Sequence, residues 1–401
     1  MPDTEYEKSR RKQRLTALSK VVLINGRSAE SSQGSLEKKL MERIDKEFPS
    51  PNKRERVDIE ALKRENMHFA NRRIKQQSDG EYFIQVQENV REKDIHLFYK
   101  FNDKNLDLIE MLVMGDTLVR AGVGSITLYL PYLPYQRQDK KDEGRVPISA
   151  KLIFNLLIAS MGNRLKRIVT FDLHAKQAQG HFDGPVDELS AIPEFAAYYR
   201  NKFQEDLARD SSSVVVFSPD AGGAKRAEKL SELLQVQYHV LTKRRVGHGK
   251  AETKYDTSVN LNGKRIIVID DMIDSGSSLV GEYEIGKDGP VQYFQSLGAD
   301  VYCCATHHVL SIKNGITAEE RLRKSGVPFL FTDSIPERYP GYYVNNKDYM
   351  SVLSLDHSLA KAVYCNAAGE SISKFLTDRE EKLKADKLDL IVQSDGRIDV
   401  E

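Results

Sequence analysis

The chain has 401 residues, with 60 Lys or Arg against 59 Asp or Glu and 40% hydrophobic residues. That length accommodates two or three domains with full cores. A formal net charge of +1 gives no bulk attraction to nucleic acid or to an acidic membrane, so any anion site must be local.

In chain order, the opening MPDTEYEKSRRKQR carries a basic cluster of Arg10, Arg11, Lys12 and Arg14. It is too polar for a signal peptide, and the early acids Asp3, Glu5 and Glu7 favour a solvated extension over an organelle address. Strands are predicted at Lys20–Ile24, Ile126–Leu130, Arg167–Phe171, Val214–Phe217, Arg265–Ile269 and Val301–Ala305. Each is a continuous apolar run, as parallel strands covered on both faces require. Helical patterns fall between them at Asn105–Ala121, Ile148–Met161, Ile192–Leu207 and Gly223–Leu234. Strand and helix in alternation predict an α/β fold with mainly parallel sheets.

Two stretches break the rhythm. Phe48–Arg73, charged and carrying Pro49 and Pro51, reads as an insertion. Arg245–Leu261, with Gly247 and Gly249 and few large apolar residues, reads as a long mobile loop of the kind that carries function. The residues after Leu376 are highly charged and read as a loosely attached tail. The cysteines, Cys303, Cys304 and Cys365, fit neither a zinc site nor a disulfide framework. They point to a reducing compartment, and the expected location is cytoplasmic. No apolar run approaches the length needed to span a membrane.

The most informative segment is RIIVIDDMIDSGSSL, Arg265–Leu279. An apolar strand ends in the adjacent carboxylates Asp270 and Asp271. Asp274, Ser275, Gly276, Ser277 and Ser278 follow, where a helix should begin. Ligands of open α/β sheets bind beyond the carboxyl ends of strands. Carboxylates there can accept hydrogen bonds from vicinal ribose hydroxyls, while small residues let backbone N–H groups close around a phosphate. A capped helix after an acidic strand end would explain any one of these residues, but not the ordered string. The segment resembles the phosphoribosyl pyrophosphate loop shared by phosphoribosyltransferases and the synthetases that make their substrate.

Further segments narrow the resemblance. YLPYQRQDKKDEGRVPISAKL (Tyr132–Leu152), FDLHAKQAQGHFDGPVDEL (Phe171–Leu189), SPDAGGAKRAEKL (Ser218–Leu230) and ATHHVLS (Ala305–Ser311) stand in the order found in ribose-phosphate diphosphokinases of the class I-like type. The likeness runs from about Lys20 to Leu376. It implies two tandem phosphoribosyltransferase-type domains: 20–189 for ATP, with the insertion at 48–73, and 190–376 for ribose phosphate, its last part returning to the first domain. The flanks 1–19 and 377–401 are left as a basic extension and a charged tail. The implied reaction is transfer of diphosphate from MgATP to ribose 5-phosphate, giving phosphoribosyl pyrophosphate and AMP. The alternative is a non-catalytic regulatory subunit associated with an active paralogue.

The resemblance also assigns residues. Arg137, Gln138 and Asp142 contact ATP, in a segment whose Arg137, Lys140, Lys141 and Arg145 lie among Pro131, Pro134 and Pro147 as a stiffened basic clamp. His174, also an ATP contact, and Asp220 hold Mg2+, and Lys243 and Arg245 grip the transferring group. Asp79 and Glu81, in the hairpin Ser78–Glu92, accept from the adenine amine of a nucleotide held by a neighbouring subunit. That implies a homo-oligomer, a hexamer built from dimers, with phosphate and ADP regulation. Departures from the pattern are Gln77 for an aromatic residue, Ser277 for a second glycine, a lengthened helix around Gly281–Pro290, and Asn89, Lys176 and Glu188 near the regulatory positions. Arg91, Arg145 and Gln179 match.

Overall fold

The computed structural model describes residues 5–26, 29, 33–47, 69–246, 252–256, 259–283, 286–384 and 389–400. The chain divides into two compact units. The first is Met1–Leu189 with Asp356–Thr377, and the second is Ser190–Leu355 with Asp378–Glu401.

The first unit is built on five parallel strands. In spatial order they are β1 (Val21–Asn25), β4 (Asp94–Phe98), β5 (Ser125–Leu130), β6 (Leu165–Phe171) and β7 (Val186–Leu189). β1 is buried along its whole length and β4 and β6 nearly so, which is why they read as unbroken apolar runs. The helix Asp356–Ala368 comes back from far along the sequence and packs on the helix Gln33–Glu47. There Arg43 lies over the Tyr364 ring, 5.4 Å from its centroid. The polar opening is a helix, Glu5–Leu18, that buries Leu15 and Leu18 and pairs Arg14 with Glu370. It is a packed element rather than a free extension, because two leucines on one face suffice to seat it.

A two-stranded antiparallel hairpin, β2 (Arg72–Gln76) and β3 (Tyr82–Val86), belongs to the same unit. The expected insertion therefore ends sooner than read: Phe69 is buried and bridges Leu23, and Arg72 and Arg73 already pair in the hairpin. Residues 48–68 lie outside the described residues.

The second unit holds an eight-stranded sheet. Its spatial order is β16 (Leu390–Val392), β17 (Arg397–Val400), β15 (Met350–Leu353), β14 (Phe329–Thr332), β13 (Asp300–His308), β12 (Arg265–Ile273), β8 (Val214–Ser218) and β9 (Gln237–Val240). All neighbours are parallel except β16 and β17. The chain winds outward from β8 to β9, then returns past β8 to β12 and winds the other way. The reversal opens a crevice beyond the carboxyl ends of β8 and β12, the place where open α/β sheets bind ligands.

Three expectations are corrected in this unit. The charged tail forms β16 and β17, because Arg397 is buried with Asp333, its Nη1 donating to Oδ2 at 2.6 Å. The helix read at Ile192–Leu207 is two, Ile192–Lys202 and Gln204–Arg209, with Phe203 between them. The stretch read as a long mobile loop from Arg245 to Leu261 carries part of an antiparallel hairpin, β10 (Thr242–Val246) with β11 (Glu252–Asp256); residues 247–251 lie outside the described residues.

Candidate active site

In the second unit β8 ends at a turn that its own residues close. Ser218 Oγ donates to the Asp220 carbonyl at 2.5 Å, and Asp220 Oδ1 accepts from Gly222 N at 3.0 Å and Gly223 N at 3.3 Å. A side chain at Gly223 would collide with Ser218 Oγ at 2.5 Å, so the close turn requires glycine there. The helix Ala224–Leu234 then carries Arg226 toward β12, where its Nη1 lies 3.6 Å from Asp271 Oδ1.

The strand does not stop at the two carboxylates expected to receive a sugar diol: Asp270 and Asp271 stand together in the carboxyl-terminal half of β12, which runs on to Ile273. Asp271 is buried and its N–H is capped by Asp270 Oδ1 at 2.9 Å. Burial, and then the charge of Asp271, push the Asp270 carboxyl up to about 8, against the lowering effect of its bond to the Asp271 N–H and of Arg226.

The next loop is braced from β13 and beyond. Leu310 N donates to the Ile273 carbonyl and Ser311 N to the Asp274 carbonyl, both at 3.1 Å, while Ser311 Oγ donates to Asp274 Oδ1 at 2.5 Å. Ser275 Oγ and Ser277 Oγ share a hydrogen bond of 3.0 Å. Gly276 between them has φ of 75°, and a side chain there would also meet Leu322 at 2.9 Å. The fully buried Arg321 donates from Nη1 to the Ser275 carbonyl at 2.8 Å.

The helix expected to lengthen after this loop is instead interrupted. Ser277–Val280 is a single turn, and the next helix starts at Pro290. Gly281 and Gly289 form the neck of the excursion between them. A Cβ on Gly281 would lie 2.2 Å from the Lys287 carbonyl oxygen, and one on Gly289 would lie 2.3 Å from that of Leu279. The backbones approach so closely that only glycine fits both sides of the neck.

The residues expected to contact ATP belong to the first unit, where two segments are tied together. His174 N donates to the buried Gln136 Oε1 at 2.9 Å, and Gln177 Nε2 to Asp139 Oδ2 at 2.8 Å. Gln138 takes a structural share, its carbonyl accepting from Ala150 N at 3.1 Å and its Oε1 from Ser149 Oγ at 3.1 Å. Arg137 and Asp142 are exposed. Asp172 reaches φ of 35° as the chain leaves β6. Glu188 steadies the segment beyond β6, accepting from Leu173 N at 3.1 Å and from Gln179 Nε2 at 2.7 Å. Burial first, and Asp172 as well, raise the Glu188 carboxyl, opposed by Lys176 and these donors.

Asp79 and Glu81 occupy the exposed turn between β2 and β3, where Asp79 Oδ1 accepts from Glu81 N at 3.1 Å. Lys243 and Arg245 lie two residues apart on β10, with side chains outside the described residues. His174 and Asp220 belong to different units. Among the described residues no cluster of three or more His, Cys, Asp or Glu is arranged to hold a metal ion. Mg2+ does not need such a cluster, since it keeps water and phosphate oxygens and takes one or two protein carboxylates. The exposed Asp220, with only Oδ1 committed to its turn, fits that role. Sequence reading missed Gln136, Arg226 and Arg321, each of which acts from a segment remote from the one it supports.

The second unit sets an adjacent carboxylate pair and a small-residue loop at the switch point of a parallel sheet, and the chain carries two α/β units of the phosphoribosyltransferase type. The family described as the N-terminal domain of ribose phosphate pyrophosphokinase matches residues 31–162, and the phosphoribosyl transferase domain matches 185–284. The ribose-phosphate pyrophosphokinase of Fusobacterium nucleatum is 38% identical over 307 residues, 75% of this chain and 88% of that protein. That of Thermotoga maritima is 34% identical over 307 residues, 74% of this chain and 87% of its own. The crystal structure of phosphoribosylpyrophosphate synthetase from Mycobacterium smegmatis matches with a TM-score of 0.65 at 30% identity, covering 86% of this chain and 98% of that one.

The chain belongs to the ribose-phosphate pyrophosphokinase family. It is an enzyme of that family, and the reading as a non-catalytic regulatory subunit is left without support. Among the described residues no helix is long and apolar enough to cross a membrane.

Proposed function

We propose that this chain moves the terminal diphosphate of ATP, as one unit, onto the anomeric hydroxyl of ribose 5-phosphate. The hydroxyl oxygen bonds to the β-phosphorus, the bond from that phosphorus to the α-phosphate bridging oxygen breaks, AMP departs and the hydroxyl proton passes to water. The observation that carries the reading is the meeting of Asp270, Asp271 and the 274–278 loop at the switch point between β8 and β12.

Asp270 and Asp271 accept from the ribose diol. Hydroxyl donors favour the ionised form of a carboxyl, so sugar binding draws Asp270 back down from its raised value. Asp274, Ser275, Gly276, Ser277 and Ser278 enclose the 5-phosphate. Arg137, Gln138, Asp142 and His174 hold the nucleotide, and Lys243 and Arg245 take the charge of the transferring group. Transfer of this kind depends mainly on alignment and charge neutralisation, so no dedicated base is required. Asp220 would hold Mg2+, which would supply charge neutralisation to the phosphates when bound. Asp79 and Glu81 serve the adenine of a nucleotide on a neighbouring copy, in a hexamer of dimers; their exposure at a hairpin tip supports that role.

Arg91, Arg145 and Gln179 are proposed to serve a phosphate and ADP site. Glu188 places a carboxylate against Gln179 there, which opposes anion binding and should weaken activation by phosphate. A cytoplasmic setting fits three buried free thiols. The test is AMP release from ATP, Mg2+ and ribose 5-phosphate, with and without phosphate, in the wild type and a Lys243→Ala, Arg245→Ala variant. Sugar-dependent AMP release that collapses in the variant is expected. Folded wild-type protein that binds ATP yet releases no AMP would overturn the reading.

A further inference from the structure

Ser277, a departure noted in the sequence, and the excursion 281–289, found where a lengthened helix was expected, meet a third element on one side of the 274–278 loop. That element is a turn formed by Lys313, Asn314, Gly315 and Ile316. An isolated antiparallel bridge joins Lys313 to Ile316, and Asn314 and Gly315 between them have φ of 54° and 77°. Two consecutive positive φ values suit Asn-Gly above other pairs, and such a turn fixes how the residue before it leaves.

Lys313 leaves toward the loop. Its Nζ donates to Ser277 Oγ at 3.0 Å and stands 3.2 Å from Glu282 Oε1, Glu282 being the first residue past the glycine neck. Because Ser277 Oγ also bonds Ser275 Oγ, the ammonium is one hydroxyl away from the middle of the loop. The Lys313 carbonyl accepts from Arg321 Nη2 at 3.4 Å, and Arg321 Nη1 holds the Ser275 carbonyl. One buried guanidinium thus braces both the cation's backbone and the loop.

A cation is needed at this point. The helix that Ser277 opens has only four residues, so few peptide dipoles align behind the loop and they lend little positive field to a phosphate. We propose that Lys313 is a binding residue for the terminal phosphate of the sugar, its ammonium exchanging Ser277 and Glu282 for phosphate oxygen when the sugar enters. Glu282, also 3.5 Å from Lys287 Nζ, neutralises the ammonium between turnovers and competes with the phosphate for it. The inference rests on the reading of Asp270–Ser278 as the sugar site.

The test uses the full-length wild type, Lys313→Met and Lys313→Arg. It compares KM for each substrate, kcat, and calorimetric titration with ribose 5-phosphate at low and raised salt. Lys313→Met is expected to raise KM and Kd for ribose 5-phosphate on the order of tenfold, with KM for ATP unmoved and a weaker salt dependence of sugar binding. Lys313→Arg should restore most of the affinity. Wild-type sugar affinity and salt dependence in Lys313→Met would overturn the proposal. So would equal losses for both substrates together with a lowered Tm, which would mark Lys313 as a fold residue only. If the wild type neither binds ribose 5-phosphate nor releases AMP with it, the sugar-site reading itself fails and takes the inference with it.

Discussion

Arg226 sets its Nη1 3.6 Å from Asp271 Oδ1, where 18% of the arginine side chain and 4% of the aspartate side chain reach solvent. The helix after β8 thereby supplies the positive charge that lets two adjacent acids persist in the carboxyl-terminal half of β12. Replacing Arg226 with Met leaves Asp271 buried beside Asp270 without that counter-charge. Loss of one partner of a buried pair costs about 3 kcal/mol. Urea unfolding at pH 7.5 should show a loss of that order, with a raised KM for ribose 5-phosphate. Unchanged unfolding would mean that the pair contributes nothing.

Asp270 gives a pH signature of its own. Its folded value, about 8, lies above the ordinary carboxyl range, so its stabilising contribution is complete below the unfolded value near 4 and is lost as pH rises through about 8. Asp270→Asn removes that loss. The Tm of the ligand-free variant relative to wild type should therefore climb between pH 6 and pH 9, while sugar-dependent activity falls. A difference in Tm that stays flat with pH would refute the assignment.

His308 acts at the other end of the scale. It is buried edge-on against Phe331 and Tyr343, neither ring nitrogen has a hydrogen-bond partner, and burial lowers its imidazole to about 4. Its stability contribution is complete above the unfolded value of 6.5 and is lost as pH falls toward 4. By pH 4 the loss is on the order of 2–3 kcal/mol. Thermal melts of His308→Leu should show a shallower acid limb than wild type, with the two converging near neutrality apart from any packing difference.

Arg397 anchors β17 through Asp333, with side chains 5% and 2% exposed. Arg397→Met strands Asp333 in the core and should lower stability by about 3–5 kcal/mol. Proteolysis of the variant should release the segment after Lys384 before the rest of the second unit is cut. Wild-type resistance in the variant would show that the final strands are held by other means.

Legibility in the sequence depends on how each part is stabilised. β8 and the first half of β12 are covered on both faces, so Val214–Phe217 and Arg265–Ile269 stand out as apolar runs. β10, β11 and β17 are not legible: their residues are mostly charged or polar, and β17 depends on a partner, Asp333, far back in the chain. The acids and small residues of the Asp270–Ser278 loop form one contiguous string and so are visible. Arg226, Arg321 and Lys313 reach that loop from three other segments, and nothing local distinguishes them from ordinary surface or salt-bridge residues. The break at Phe203 is hidden because no glycine or proline marks it in the sequence.

The return of Asp356–Thr377 to the first unit, followed by the departure of Asp378–Glu401 to the second, bears on how the protein is made. On the ribosome the first unit lacks the helix that packs on Gln33–Glu47 until all of 190–355 has been synthesised, a delay on the order of ten to thirty seconds. Through that interval its apolar surface has no native cover and is open to chaperones. Neither unit can be expressed from one uninterrupted stretch of coding sequence, and a premature stop anywhere before the return helix is complete would leave both units unfinished at once.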